Sequence, residues 1–196
     1  MKRSSVAIHN IEAIIQIYKS HLPRACCDAI CDAYERIEKI DNTGVNQDNL
    51  FKTERTGWEA HRDDVVRGVC CKIADIFADV RIQPLPKKFT GVDVNLFESW
   101  IAKSSDDSFV EPHCHDANNY GCSWAFVFYA RLPNETTSLV FYDTLFGQQH
   151  RIDAREGDVL IFPSQLYHYT DDVCEGRTIL SGNFVASMRD ESLNNA

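Results

Sequence analysis

The chain has 196 residues and a formal net charge of −9, enough for one domain, residues 1–196, with a real core. Its balance of apolar and charged residues is that of a soluble globular protein. The acidity argues against a surface built to neutralise phosphates, and no apolar run nears the roughly 18 residues that a membrane span needs.

The N-terminus, MKRSSVAIHNIEAIIQIYKS, starts basic but has no long apolar core. It reads as a short lead into an amphipathic helix rather than a signal peptide. Residues 10–40 are expected to be helical: IEAIIQIYKS has apolar residues at helical spacing, Pro23 interrupts, and RACCDAICDAYERIEKI resumes the period. Residues 41–60 are polar, with Asn42, Gly44 and Asn46 marking a loop. HRDDVVRGVCCKIADIFADV is a second amphipathic helix with Val65, Val69, Ile73 and Ile76 on one stripe, and QPLP ends it. Residues 1–88 are therefore expected to be a mainly helical support region. The eight cysteines include the adjacent pairs Cys26–Cys27 and Cys70–Cys71 inside helical patterns, with no CxxC pair. They read as thiols in a reducing, cytoplasmic compartment rather than as a disulfide framework or a structural zinc site.

From Phe89 the pattern changes to strands. TGVDVNLFESWIAK alternates, whereas CSWAFVFYARL is an almost continuous apolar run, as expected of a strand buried on both faces. TSLVFYDT, QQHRIDA, DVLIFPS and RTILSGNFV follow, with turns at Pro133-Asn134, Gly147, Glu156-Gly157 and Glu175-Gly176. Helices first and strands afterwards give an α+β class, helices packed on a β-sandwich or barrel over residues 89–186. Residues 187–196 read as a frayed tail.

Two stretches carry chemistry. SFVEPHCHDANNYGC holds His113, His115 and Asp116 within four positions. On a strand, His113 and His115 point to one side and Asp116 to the other. Two imidazoles on one face can grip one metal ion, and His168, at the end of GDVLIFPSQLYH, is the natural third ligand. Pro163 stops strand pairing there and lets the chain bend. His9, His21, His61 and His150 read as surface or packing residues. Arg177 leads into a buried strand, which is costly unless something anionic meets its guanidinium. That anion is either an acidic neighbour such as Asp171, Asp172 or Glu175, or a carboxylate of a metal-bound co-substrate.

These residues resemble the iron(II)- and 2-oxoglutarate-dependent dioxygenases, especially the prolyl 4-hydroxylase-like branch, over about residues 92–185. EGDVLIFPSQLYH looks like that superfamily's segment with the distal histidine, and EGRTILSGNF like its segment with the basic residue. FVFYARL looks like the aromatic strand whose tyrosine touches 2-oxoglutarate, and RACCDAICDAYERI like the helix before the core. The resemblance implies a double-stranded β-helix (jelly-roll, cupin-like) core with N-terminal supporting helices. It implies Fe(II) and 2-oxoglutarate as cofactors, molecular oxygen as co-substrate, and hydroxylation of a C–H bond in a protein side chain or small molecule. Arg177 and Tyr129 would then hold 2-oxoglutarate, and His113, His115 and His168 the metal.

The chain departs from the superfamily at one place. HCH stands where an H-x-D pair is expected, so His115 occupies the carboxylate ligand's position. Three triads are possible: all-histidine, one that recruits Asp116 through a local bend, or two histidines with a water or anion. Strand alternation favours the first. The rival readings are a cupin-type metal protein that does not use 2-oxoglutarate, and a non-catalytic binding protein on a degenerate barrel. A nucleic-acid demethylase is disfavoured, because that branch carries a second arginine six residues after the first, where this chain has Asn183. The polar stretches DNTGVNQDNLFKTERTGW and AKSSDDSFV are expected at the barrel mouth.

Overall fold

Alternating strand sequences close around one interior, and the helices cover the outside of the larger sheet. The computed structural model describes residues 7–11, 15–40, 51–82, 89–105, 108–115, 123–142, 147–171 and 173–190. Strands β1 (Ala7–Ile11) and β2 (Ile15–His21) are followed by helix α1 (Arg24–Arg36). Short strands β3 (Lys39–Ile40), β4 (Phe51–Lys52) and β5 (Glu54–Thr56) lead to helix α2 (Asp64–Ile82). Then come β6 (Phe89–Lys103), β7 (Phe109–Val110), β8 (Ser123–Arg131), β9 (Thr136–Tyr142), β10 (Gln149–Arg155), β11 (Asp158–Pro163), β12 (Tyr167–Asp171) and β13 (Thr178–Asp190). Among the described residues, the larger sheet runs β1-β2-β11-β8-β13-β6-β5-β3 and the smaller one β10-β9-β12. This is the double-stranded β-helix, α+β in class, with supporting helices.

The period of two along the strands sorts their side chains onto two faces. On β8, Phe126, Phe128 and Ala130 face the helices, while Ala125, Val127 and Tyr129 face inward. On β11, Val159 and Ile161 go outward, Leu160 and Phe162 inward. Cys26, Ile30, Val66, Val69, Ile73 and Phe77 of the helices complete the outer layer. Asp63 caps α2, its Oδ1 accepting from the N–H groups of Val65 (2.9 Å) and Val66 (3.1 Å). Arg36 at the end of α1 pairs with the same carboxylate at 3.2 Å and ties the helices together.

Three expectations need correction. Residues 10–11 and 15–21 are strand, not helix, because β11, buried from Asp158 to Phe162, needs a partner on its free edge; β2 supplies it and β1 pairs with β2 in turn. Burial of Ile17 on the inner face and Tyr18 on the outer overrides the helical spacing. The buried stripe of α2 is Val66, Val69, Cys70, Ile73 and Phe77; Val65 is exposed. Residues 187–190 are strand rather than frayed tail, since β13 pairs with β6 as far as Asp190; residues 191–196 lie outside the described residues. QPLP and residues 41–50 lie outside the described residues.

One irregularity matters for the site. Asn183 pairs with Glu98, but Phe184 pairs with Leu96, so Phe97 is an extra residue in β6. Before this bulge Val92, Val94 and Leu96 face the helices; beyond it Ile101 does. The bulge thus turns Glu98 and Trp100 to the inner face. Gly182 permits the close approach of β13 here, since an added Cβ would lie 2.6 Å from the Glu98 carbonyl oxygen.

Candidate metal centre

The HCH segment is held in an extended conformation by the chain entering β12. His113 and His168 are directly opposite and exchange both backbone hydrogen bonds, His113 N–H to His168 O at 3.0 Å and His168 N–H to His113 O at 2.8 Å. Two residues on, His115 N–H donates to Ser164 O at 2.8 Å. Opposite residues share a face, as do residues two apart, so the three imidazoles converge. Each offers a ligand nitrogen, and these atoms lie within 4.8 Å of one another.

The second ring nitrogen of each histidine is fixed. His113 Nδ1–H donates to Glu111 O and His168 Nδ1–H to Leu166 O, both at 2.8 Å. A carbonyl only accepts, so the tautomer is set in both rings. His115 Nδ1–H donates to Asn183 Oδ1 at 2.8 Å. All three Nε2 atoms are thereby left as lone-pair donors. Burial lowers the pKa of His113; burial and the neighbouring His113 bring His115 down to about 4. Burial, aided by His115 and His113, holds His168 well below the usual imidazole range. Near neutral pH the cluster is therefore three uncharged imidazoles, the protonation state that binds a metal ion. Among the described residues no carboxylate joins it; Asp116 lies outside them. Phe162 (4.7 Å between ring centroids) and Phe141 (6.2 Å) pack on His168 from the interior.

Arg177 immediately precedes β13 and is 1% exposed. Its Nε–H donates to Ser104 Oγ at 3.3 Å, but Nη1 is buried with no hydrogen-bond partner among the described residues. The hydroxyl of Tyr129 is buried and unpartnered in the same way. Burial lowers the pKa of Arg177 and raises that of Tyr129, with each opposing the other's shift. No acidic partner of Arg177 is found among the described residues; Asp171 pairs with Arg151 instead. Burying such atoms unpaired costs roughly 1–3 kcal/mol each, more for a charged group.

The other histidines sit elsewhere. His21 binds Asp158 and His61 bonds Ser99 Oγ at 3.2 Å. His150 lies opposite Phe141, which is itself opposite His168, and its Nε2 is buried and unpartnered among the described residues. It faces the interior rather than the surface.

No protein-family model and no curated protein matches the sequence. Solved structures do match. A prolyl-4-hydroxylase from Pseudomonas putida superposes with a TM-score of 0.57 at 15% identity, covering 91% of this chain and 95% of that one. A viral collagen prolyl hydroxylase from Paramecium bursaria Chlorella virus-1, solved as a 2-oxoglutarate complex, gives 0.57 at 15% identity over 87% and 94%. HygX from Streptomyces hygroscopicus, with nickel and 2-oxoglutarate bound, gives 0.57 at 14% identity over 86% and 82%. The chain has the fold of the 2-oxoglutarate- and iron(II)-dependent oxygenases.

Within that oxygenase fold, three site residues escaped the sequence reading. Asn183 accepts from His115 and donates to Glu98. Trp100 lies 5.6 Å from the His115 ring and 4.7 Å from the partly exposed Trp58. A polar amide inside the apolar run RTILSGNFV was a usable signal for Asn183. Nothing in the sequence betrays the bulge that turns Glu98 and Trp100 inward.

Proposed function

We propose that the protein is a non-haem iron oxygenase that couples oxidative decarboxylation of 2-oxoglutarate to hydroxylation of a C–H bond in a protein side chain or small molecule. In this reading His113, His115 and His168 hold Fe(II) through Nε2, and Arg177 and Tyr129 receive the distal carboxylate of 2-oxoglutarate. The observation that carries the reading is the pair of atoms without partners among the described residues, Arg177 Nη1 and Tyr129 Oη, in a barrel where three imidazole nitrogens also converge. A carboxylate supplies both missing partners and the missing negative charge. The donor set fits a divalent ion with open positions: three neutral nitrogen ligands on one face leave the opposite face for exogenous ligands.

When bound, the metal and 2-oxoglutarate supply the oxidising chemistry. The chain supplies placement and dryness. Leu139, Phe141, Leu160 and Phe162 line the interior and keep water from the keto acid. Ser104 holds the guanidinium of Arg177 in register through Nε. The net charge of −9 favours a substrate other than nucleic acid. The free thiols of the described cysteines suit a cytoplasmic setting. No helix among the described residues is long and apolar enough to cross a membrane.

Succinate formation from 2-oxoglutarate with added Fe(II) tests the proposal. The parent should turn over the keto acid slowly even without its substrate, and Arg177→Ala should not. A chain that binds metal but leaves 2-oxoglutarate untouched would instead be a cupin-type metal protein, the reading to which the all-imidazole ligand set also points.

A further inference from the structure

The metal reading leaves one chemical gap. A site of three neutral imidazoles carries one negative charge fewer than a site of two imidazoles and a carboxylate. We infer that Glu98 and Asn183 form a relay that fixes His115 as an Nε2 ligand and lends it part of that charge through two hydrogen bonds. This rests on the metal-site reading and deepens it.

The geometry is continuous. His115 Nδ1–H donates to Asn183 Oδ1 at 2.8 Å, and Asn183 Nδ2–H donates to Glu98 Oε1. The carboxylate fixes the amide: its NH2 must face Glu98, so its oxygen must face His115. The amide in turn fixes the imidazole tautomer. Among the described residues, His113 and His168 lean on backbone carbonyls, whereas His115 reaches a carboxylate through side chains. That is the ring standing in the carboxylate ligand's position.

The chain has been shaped to build this contact. Asn183 is 1% exposed, in a strand whose outward neighbour Phe184 packs in the helix-side core. The Phe97 bulge brings Glu98 onto the inner face directly opposite Asn183, where regular alternation would have sent it to the helices. Arg55, buried against Trp58 with its guanidinium 3.9 Å from the ring centroid, is attracted by the Glu98 charge. A hydrogen bond from a ligating histidine to a negative group raises the basicity of the ligand nitrogen, and such partners are worth roughly 10–100-fold in metal affinity.

Co(II) titration of the full chain by calorimetry, with the visible spectrum of the bound ion as a second readout, tests the relay in three variants. Asn183→Leu removes the acceptor of His115 and should weaken Co(II) binding by about 10–100-fold. Glu98→Gln keeps an acceptor for the amide but removes the charge, and should weaken binding less. The double variant Glu98→Gln/Asn183→Asp keeps both hydrogen bonds and moves the charge one residue nearer the ring. It should bind Co(II) more tightly than the parent and shift the spectrum. A purely structural amide predicts no gain from the double variant. If all folded variants bind Co(II) as the parent does, with unchanged spectra, the relay is refuted while the metal site stands. If the parent itself binds no Co(II), the metal reading fails and the relay with it.

Discussion

The two faces of the large sheet are built from the same strands and obey opposite rules. On the outer face Phe126, Phe128, Leu180 and Phe184 meet Ile30, Ile73 and Phe77 of the helices, all under 2% exposed and all apolar. Phe77 stacks edge-on against Tyr18 and Phe184. On the inner face the same strands, with the residue just before β13, carry Tyr129, Arg177, Ser181 and Asn183, each at most 3% exposed. Two of these hold polar atoms without partners among the described residues. One face maximises burial; the other accepts destabilisation where a ligand would relieve it. Folding energy and function are thus separated by the direction of a side chain, residue by alternate residue.

This contrast can be broken first at its extremes. His168→Ala on the inner side should abolish metal uptake, measured as bound metal after desalting, because loss of a ligand exceeds the roughly 10–100-fold worth of a ligand's hydrogen-bond partner. Full occupancy in that variant would remove His168 from the triad. On the outer side, Phe77→Ala should cost about 3–5 kcal/mol of stability in denaturant unfolding, while the folded fraction keeps its metal. Arg177→Met sharpens the comparison. It should lose about 2–5 kcal/mol of 2-oxoglutarate affinity yet leave the ligand-free protein as stable as the parent or more so, since it removes a buried charge that has no ionic partner among the described residues.

A smaller effect lies at the start of β11. Burial pushes the Asp158 carboxyl up, but hydrogen bonds from His21, the Arg155 N–H and Lys19, with the Lys19 charge, outweigh it and hold its pKa below the ordinary value. A depressed carboxylate contributes stability that is present above its unfolded pKa and is lost as pH falls through the folded one. The parent should therefore lose stability below about pH 4 more steeply than Asp158→Asn, a difference readable from melting temperatures across that range.

The strand half of the fold was legible because its signals are local. Gly157, at φ 89°, and Gly176, at φ 77°, sit in the predicted turns, and the apolar run at 125–130 is buried on both faces. Residues 15–21 were misread because an apolar segment next to a helix has no local mark of the strand it will pair with; β11 lies about 140 residues away. The convergence of the three histidines and the burial of Arg177 could be read because alternation fixes direction within a strand. Glu98 could not, because one extra residue in β6 reverses the alternation and leaves no trace in composition.

Anaerobic calorimetry of 2-oxoglutarate with the Co(II)-loaded protein tests most directly whether the inner face is an anion and metal site. One molecule per chain should bind, only when the metal is present, and Arg177→Met should abolish most of the affinity. A loaded protein that ignores 2-oxoglutarate, or an Arg177→Met variant that binds it as well as the parent, would contradict the account.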